Sequence, residues 1–291
     1  MGMRYVEPVF RPPSEADSLI LQVTIGCSHN ACVFCAMYRT KKYAVRPLED
    51  VASEIEYAAG RLRETPRVFL ADGDALAAPT PFLLDVLALL RRKLPKLRRI
   101  SLYATPQNLL EKSASELAAL REAGLQLFYL GLESGSARVL KAQAKGVTPE
   151  QAIAAVRKGH EAGLRSSIMV LLGLGGVEGS EEHALATADA CNAMQPAYLS
   201  ALTWMPVRQA PLWRLLERGT FQLPDDDGIL DELHLLVEKL DLRDTVFRAN
   251  HASNPLPIGG RLSRDRDDLL TMISDARRGM VPLRPYFLRG T

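Results

Sequence analysis

The sequence contains little cysteine, no long apolar run and almost no net charge. Four cysteines occur among 291 residues, and three of them fall within nine residues. No apolar run approaches the ~20 residues of a membrane-spanning helix, and the first eighteen residues contain no continuous apolar stretch typical of a signal peptide. The net charge of +2 gives no general argument for binding nucleic acid or a membrane. We therefore expect a cytoplasmic protein without a membrane segment, whose cysteines stay reduced rather than forming a disulfide framework.

The composition predicts a large folded core, with 47% hydrophobic and 24% charged residues. Six short apolar runs are typical of buried strands, because each is bounded by glycine, proline or charged residues. These runs are residues 18–24, 67–71, 98–104, 125–131, 165–173 and 197–204. Helical patterns lie between them, at residues 47–62, 81–94, 113–124, 148–163 and 180–194. The alternation predicts parallel strands with helical crossovers, either as an open doubly wound sheet or as a barrel or partial barrel.

The pattern changes after residue 205. Helices are predicted at 210–219 and 225–240, followed by an extended piece, a Pro/Gly loop and a final helix. We interpret residues 211–291 as a C-terminal extension that caps the α/β core of residues 1–210.

Cys27, Cys32 and Cys35 form a C-x4-C-x2-C pattern directly after the first predicted strand, and Phe34 precedes the last of them. Working loops lie at the carboxyl ends of strands in both candidate architectures. Structural zinc normally needs four protein ligands; Cys191 lies in an alanine-rich helix, and His29 would crowd the site between two cysteines. A plant-type 2Fe–2S ferredoxin has this spacing but needs a fourth cysteine and a small β-rich domain. A 4Fe–4S cluster on three cysteines would instead leave one iron open to a small molecule.

The cysteine loop and its position resemble those of the radical S-adenosylmethionine (SAM) superfamily. In that superfamily the cluster loop follows the first strand of a partial (β/α)6 barrel, usually as C-x3-C-x2-C with an aromatic residue before the last cysteine. This chain has one more residue between Cys27 and Cys32. The resemblance implies a 4Fe–4S cluster on Cys27, Cys32 and Cys35, with Phe34 near the adenine of SAM.

A second similar segment is ADGDAL, after the second predicted strand. The family has a Gly-Gly-Glu-like segment there, which holds the amino group of SAM. The resemblance implies that Asp72, Gly73 and Asp74 bind SAM, and a carboxylate facing an ammonium forms a strong charge-assisted hydrogen bond. An ordinary Asp-Gly turn is the alternative interpretation.

Two further segments follow the fourth and fifth predicted strands. YLGLESGS resembles the GLESG segment of the branch that contains oxygen-independent coproporphyrinogen oxidases, tRNA methylthiotransferases and the catalytic elongator subunit. It implies that Glu133 and Ser134 lie at the ribose of SAM, although Glu133 would also suit a helix N-terminus. VLLGLGG resembles the segment whose backbone approaches adenine, which implies roles for Gly173 and Gly175; a plain turn is the alternative.

The resemblance implies an oxygen-sensitive radical SAM enzyme with two cofactors, a 4Fe–4S cluster and SAM. Reductive cleavage of SAM would give a 5′-deoxyadenosyl radical that takes hydrogen from an unidentified substrate. The expected partners are an external one-electron donor of flavodoxin or ferredoxin type and a small-molecule substrate rather than nucleic acid. The cobalamin-binding domain and the small RNA-binding barrel of some relatives are not expected from this sequence. Cysteines for a second cluster are also not found in it, which argues against methylthiotransfer and most cofactor-maturase types. The alternative is a non-catalytic cluster, haem or SAM-binding protein on the same fold.

The stretch FRANHASNPLPIGG places five polar residues within seven positions of the C-terminal extension. We predict that Asn250 and His251 face the substrate, because a rigid apolar frame surrounds them. A hydrogen-bonded loop that holds the extension in place is the alternative.

Overall fold

The computed structural model describes residues 2–290. Its strands are β1 Leu19–Gln22, β2 Thr24–Ile25, β3 Ala44–Val45, β4 Arg67–Ala71, β5 Arg99–Tyr103, β6 Leu125–Glu133, β7 Arg165–Leu172, β8 Tyr198–Thr203, β9 Thr245–Ala249 and β10 Ile258–Leu262. Its α-helices are α1 Leu48–Arg61, α2 Thr80–Lys93, α3 Pro106–Glu111, α4 Ala114–Ala123, α5 Ala137–Ala142, α6 Pro149–Glu161, α7 Gly176–Met194, α8 Pro211–Glu217, α9 Asp226–Lys239 and α10 Arg266–Arg277.

Eight of the strands form a sheet in the order β1-β4-β5-β6-β7-β8-β9-β10, and β2 pairs with β3 in a small second sheet. Strands β1, β4, β5 and β6 pair in parallel, as do β7, β8 and β9. The six predicted apolar runs correspond to β1, β4, β5, β6, β7 and β8, so the predicted α/β class with parallel strands and helical crossovers is confirmed. Short apolar runs bounded by breakers predict such strands well because the strands of a parallel sheet are buried on both faces.

The chain divides into two compact units. The first contains the residues up to Asn30, then Met37–Leu130 and Ala154–Ser166. The second contains Ala31–Ala36, Gly131–Ile153 and the chain from Ser167 onward. The boundary that we placed at residue 210 stays a prediction.

The C-terminal extension contributes strands as well as helices. Helices α8, α9 and α10 match the predicted patterns, but the predicted extended piece is a full sheet strand, β9, which pairs in parallel with β8. Strand β10 then returns antiparallel to β9. In β9 the side chains alternate between buried and partly exposed, and Phe247 is fully buried. The sequence of β9, TVFRA, has only two consecutive apolar residues between Thr245 and Arg248, which is why the sequence indicated only an extended segment.

Candidate cofactor site

The cysteine loop follows β2, and its three cysteines differ clearly from the fourth. All four cysteines are among the described residues and none is in a disulfide. Cys27, Cys32 and Cys35 are partly exposed, whereas Cys191 in α7 is fully buried. Burial raises the pKa of the Cys191 thiol to about 12. Because a thiolate is the form that binds metal, Cys191 is unsuited to be a ligand.

Residues Ala31–Ala36 of the cysteine loop belong to the second unit, and hydrogen bonds of their backbone hold them in place. The Val33 N–H donates to the Gln143 carbonyl at 3.0 Å, and the Val33 carbonyl accepts from the Leu212 N–H at 2.9 Å. The Trp204 indole N–H donates to the Phe34 carbonyl at 3.1 Å. The Phe34 ring packs against the buried cluster of Val139, Leu174, Trp204 and Leu212. The backbone beside Cys32 and Cys35, which flank Val33 and Phe34, is therefore held in place.

In residues 2–290, no three His, Cys, Asp or Glu side chains are gathered closely enough to hold a single metal ion. This bears on a one-ion site such as structural zinc, which needs four donors around one atom. An iron–sulfur cluster instead takes one thiolate on each of several irons, so its cysteines do not converge on one point. The donor set of three partly exposed thiols fits a cluster.

Asp72 is fully buried, and one of its carboxylate oxygens stabilises the start of the cysteine loop. Its Oδ2 accepts from the Gln22 amide at 3.1 Å, from the Gly26 N–H at 3.0 Å and from the Lys41 ammonium at 2.7 Å. Gly26 directly precedes Cys27. The other oxygen, Oδ1, has no hydrogen-bond partner within the described part of the chain. Asp72 thus positions the start of the cysteine loop.

Lys41 completes this arrangement. Its ammonium donates to the carbonyls of Val6 and Pro8, both at 2.6 Å, in addition to Asp72. The side chain is only 3% exposed. All three donors of the ammonium are therefore used, and they fasten the N-terminal segment to the segment that follows the cysteine loop.

Asp74 is the second buried carboxylate of this turn. Its Oδ2 accepts from Ser28, which directly follows Cys27, from Asn108 Nδ2 at 2.5 Å and from Thr105 Oγ1 at 3.5 Å. Burial raises the pKa of Asp74 to about 6, against the opposing effect of these hydrogen bonds. Its Oδ1 is buried and has no partner among the described residues. Such an oxygen is suited to a ligand that donates hydrogen bonds.

Two tyrosines that the sequence analysis did not single out lie beside these acids. A Cβ atom on Gly73 would lie 2.4 Å from Cε2 of Tyr38, so only glycine allows the ring to pack so closely on the turn. The hydroxyls of Tyr38 and Tyr43 are buried and have no hydrogen-bond partner within residues 2–290. In the sequence, Tyr38 is marked only by its place three residues after Cys35.

Lys145, which the sequence analysis missed, lies near both Glu133 and Phe34. The Lys145 ammonium lies 3.0 Å from Glu133 Oε1 and 5.9 Å from the centre of the Phe34 ring. Glu133 has a φ of +67°, an uncommon conformation for a residue with a side chain. Such strain is found mainly at functional sites, where the surrounding structure maintains it.

Ser134 is hydrogen-bonded within the protein. Its hydroxyl lies 2.7 Å from His183 Nδ1 and accepts from the Ser136 N–H at 3.0 Å. His183 Nε2 lies 3.0 Å from the Leu171 carbonyl, which can only accept, so this nitrogen carries a proton. Ser134 therefore links the turn after β6 to α7 and β7.

The glycines after β7 are required by internal packing. A Cβ on Gly173 would meet the Leu223 side chain at 2.8 Å, and a Cβ on Gly175 would meet the Gly179 carbonyl at 2.7 Å. The Gly173 N–H donates to the buried carboxylate of Glu232 at 2.7 Å. Both positions therefore require glycine irrespective of any ligand.

Asn250 is exposed and His251 is half-buried in the loop between β9 and β10. His251 Nδ1 accepts from the Ser253 N–H at 3.1 Å, and the His251 carbonyl accepts from the Arg284 guanidinium at 2.8 Å. Burial and the nearby Arg284 lower the pKa of His251. These contacts are those of a hydrogen-bonded loop that holds the C-terminal segment, so the substrate role of His251 stays a prediction.

A cavity of about 400 Å³ lies in the second unit, next to the carboxyl end of β8. Its lining includes Thr203, Trp204, Leu223, Ile229, Tyr286 and Arg289. Trp204 also binds the carbonyl of Phe34, so one wall of the cavity adjoins the cysteine loop. The volume lies in the range of small-molecule sites.

Among the described residues, no helix is long and apolar enough to cross a membrane.

Comparisons with known proteins agree with this fold. The model of the radical SAM superfamily matches residues 21–188, which is more than half of the chain. A search of curated proteins found no match. The chain is similar to the radical S-adenosylmethionine methyltransferase TsrM from Kitasatospora setae, whose structure contains cobalamin and a 4Fe–4S cluster. The identity is 21% and the TM-score 0.56, over 69% of this chain and 39% of TsrM.

Two other solved structures are similar. Coproporphyrinogen III oxidase (HemN) from Escherichia coli is 18% identical with a TM-score of 0.55, over 76% of this chain and 51% of HemN. Methylornithine synthase (PylB) is 18% identical with a TM-score of 0.54, over 92% of this chain and 83% of PylB. The chain thus spans well under two thirds of the length of TsrM and of HemN. These likenesses confirm the predicted TIM-barrel-like α/β fold, and together with the family match they show that the chain belongs to the radical SAM superfamily.

Proposed function

We propose that this chain is a radical SAM enzyme that binds a 4Fe–4S cluster through Cys27, Cys32 and Cys35. One observation carries the proposal: three partly exposed cysteines follow the first strands inside the matched region, while the fourth cysteine is buried as a protonated thiol. When bound, the cluster and SAM supply reductive cleavage of the sulfonium to a 5′-deoxyadenosyl radical. An external one-electron donor of flavodoxin or ferredoxin type supplies the electron.

The residues of the chain hold and shield these groups. Phe34 and the buried residues around it exclude water from one side of the cysteine loop, which protects low-potential chemistry. Asp74 offers a buried acceptor to the amino group of SAM. Glu133, held by Lys145, offers a carboxylate to the ribose hydroxyls. Gly73, Ser134, Gly173 and Gly175 support these positions through the packing and hydrogen bonds described above.

The substrate that we propose is a small molecule. The cavity beside β8 has the volume of a small-molecule site, and Trp204 connects its wall to the cysteine loop. A cavity of this size is too small to enclose a folded nucleic acid.

The test is anaerobic reconstitution with iron and sulfide, followed by dithionite and SAM. Wild-type protein should carry about four irons and four sulfides per chain and should release 5′-deoxyadenosine. Cys27→Ala, Cys32→Ala and Cys35→Ala should each lose the cluster, because each removes one ligand. Cys191→Ala is the matched control and should keep its iron.

Two results would contradict the proposal. If Cys191→Ala loses iron as completely as Cys32→Ala, a four-cysteine site replaces the three-cysteine site. If the intact cluster and bound SAM give no 5′-deoxyadenosine under any reductant, the chain is a binding protein and not an enzyme.

A further inference from the structure

A chain of buried polar groups in the second unit runs from the C-terminal extension to the turn after β6. Oε1 of Glu232, on α9, lies 3.5 Å from Nε2 of His183, on α7, and Nδ1 of His183 lies 2.7 Å from the Ser134 hydroxyl. The three residues are at most 2% exposed. A buried polar network whose members are hydrogen-bonded fixes the groups that it joins. The proposed function gives His183 and Glu232 no part.

The Glu232 carboxylate uses both of its oxygens within the second unit. Oε1 accepts from the Gly173 N–H at 2.7 Å, and Oε2 accepts from the Ser180 hydroxyl. Gly173 has a φ of +80° and lies in the turn that follows β7, whereas Ser180 lies in the first turns of α7. Helix α9 therefore fastens the turn after β7 to α7.

Helix α7 in turn holds the turn after β6. His183 meets the Ser134 hydroxyl, and the Thr187 hydroxyl, one helical turn further, accepts from the Gly135 N–H at 2.9 Å. A Cβ atom on Gly135 would lie 2.0 Å from the Ala186 carbonyl oxygen, so the backbone of the turn packs directly on the helix. These contacts fix Ser134 and Gly135 against α7.

The same turn maintains an uncommon backbone conformation at Glu133. A φ of +67° is rare for a residue with a side chain, and it persists only where the surrounding structure imposes it. Glu133 directly precedes Ser134, so the contact with His183 holds the backbone on its C-terminal side. The carboxylate of Glu133 is held by the Lys145 ammonium, 3.0 Å from Oε1. The direction in which Glu133 presents its carboxylate therefore depends on the buried network.

We propose that His183 and Glu232 are positioning residues, which hold Glu133 in its left-handed conformation and keep the turns after β6 and β7 in the relative arrangement that SAM requires. This inference rests on the proposed function, in which Glu133 lies at the ribose of SAM. His183 acts through Ser134, and Glu232 acts through Gly173, rather than by contact with SAM. Because Glu232 belongs to α9, the C-terminal extension becomes part of the apparatus that binds the cofactor.

The two substitutions at Glu232 are expected to differ. Glu232→Ala leaves the Gly173 N–H and the Ser180 hydroxyl without their acceptor, so the turns relax, and only the fraction of molecules that keeps the original arrangement binds SAM. SAM affinity should fall about fivefold to a hundredfold, the range for one buried group left unpaired. In Glu232→Gln the amide oxygen still accepts from Gly173 and the amide nitrogen donates to Ser180 Oγ, so affinity should stay within about twofold of wild type.

The experiment measures two quantities on anaerobically reconstituted wild type, Glu232→Ala, Glu232→Gln and His183→Phe. Equilibrium dialysis gives the affinity for SAM, and mass spectrometry gives the rate of amide hydrogen exchange of residues 133–136 without SAM. His183→Phe keeps an aromatic ring but loses the contact with Ser134. It should therefore behave as Glu232→Ala does, with weaker SAM binding and faster exchange of residues 133–136.

Leu233→Val is the matched control. Leu233 is the buried neighbour of Glu232 on α9, and its shortening lowers the melting temperature through packing alone. It should change neither SAM affinity nor the exchange of residues 133–136. Iron content and melting temperature show that each variant is folded and loaded.

The outcomes separate this inference from the proposed function. Wild-type protein that carries its cluster but binds no SAM overturns both. If wild type binds SAM and Glu232→Ala exchanges faster at residues 133–136 with unchanged SAM affinity, the network only stabilises the turn and the inference alone is overturned. An equal loss of affinity in Leu233→Val would assign the effect to general destabilisation, which also overturns it. If His183→Phe does not fold, the comparison of Glu232→Ala with Glu232→Gln decides.

Discussion

At the scale of single residues, the buried pair of Lys41 and Asp72 determines how the cysteine loop begins. A buried ion pair stabilises little in itself, but removal of one partner leaves an uncompensated charge in a low dielectric. We expect Asp72→Ala to lower the free energy of unfolding by about 3–5 kcal/mol, because it leaves the Lys41 ammonium buried without a counterion. Urea unfolding of the variant measures this loss.

The control for this prediction is the double variant Lys41→Met, Asp72→Ala, which removes both charges. It should be more stable than Asp72→Ala alone, since no charge is left buried. A double variant that is less stable than the single one would show that the packing of Lys41, and not its charge, holds the segment.

The residues of the site divide into those that the sequence predicts and those that it does not. Cys27 and Asp74 could be proposed as site residues from the sequence, because cofactor chemistry restricts the residue type and the spacing. Tyr38, Tyr43 and Lys145 could not be predicted, since a phenol or an ammonium acquires its role only from the groups that the fold places beside it.

At the scale of elements, the loop between β9 and β10 offers two asparagines for comparison. Asn254 is 1% exposed; its amide donates to the carbonyls of Ala201 and Ala249, and its oxygen accepts from Thr203. Asn250 is exposed. We expect Asn254→Ala to lower the melting temperature by several degrees, because it leaves several buried backbone groups unpaired, whereas Asn250→Ala changes it little. Thermal melting of the two variants checks this, and equal melting temperatures would contradict it.

His251→Ala extends the same measurement to function. If His251 acts on substrate, the variant keeps its melting temperature and its slow cleavage of SAM but loses coupling to product. If the residue only holds the loop, stability and every activity fall together. The contacts to Ser253 and Arg284 favour the second result.

The sequence predicted the buried parallel strands better than the edge of the sheet. Strand β10, IGGRL, contains two glycines and one charged residue, so it lacks an apolar run of its own. Its place is determined by pairing with β9, from Ile258 opposite Ala249 to Leu262 opposite Thr245. Such pairing is a long-range property that local patterns do not contain.

At the scale of the whole molecule, the C-terminal extension is part of the structural core. Strand β9 pairs with β8, and Glu232 of α9 accepts from the Gly173 backbone. Leu230, Leu233 and Leu236 of α9 are buried. We expect residues 1–210 alone to be insoluble or to lack a cooperative melting transition, because β8 would become an open edge and apolar surface would be exposed. A soluble fragment with a cooperative transition would support the predicted boundary at 210 as a true domain boundary.

Membership of the radical SAM superfamily does not by itself determine the reaction of this chain. Identities of 18–21% to structures of a methyltransferase, an oxidase and a synthase show one fold that carries different chemistries. The substrate must therefore be sought from the residues of this chain, first of all from those that line the cavity beside β8.

The buried ammonium of Lys41 has a practical consequence for chemical labelling. Acylating reagents need an accessible amine, and Lys41 is buried while its three hydrogen bonds hold, whereas its neighbour Lys42 is exposed. In a timed labelling experiment read by mass spectrometry, Lys42 should be modified early and Lys41 only when the N-terminal segment opens. The ratio of the two adjacent lysines would then report on the integrity of the cysteine loop in any preparation, without a spectroscopic assay.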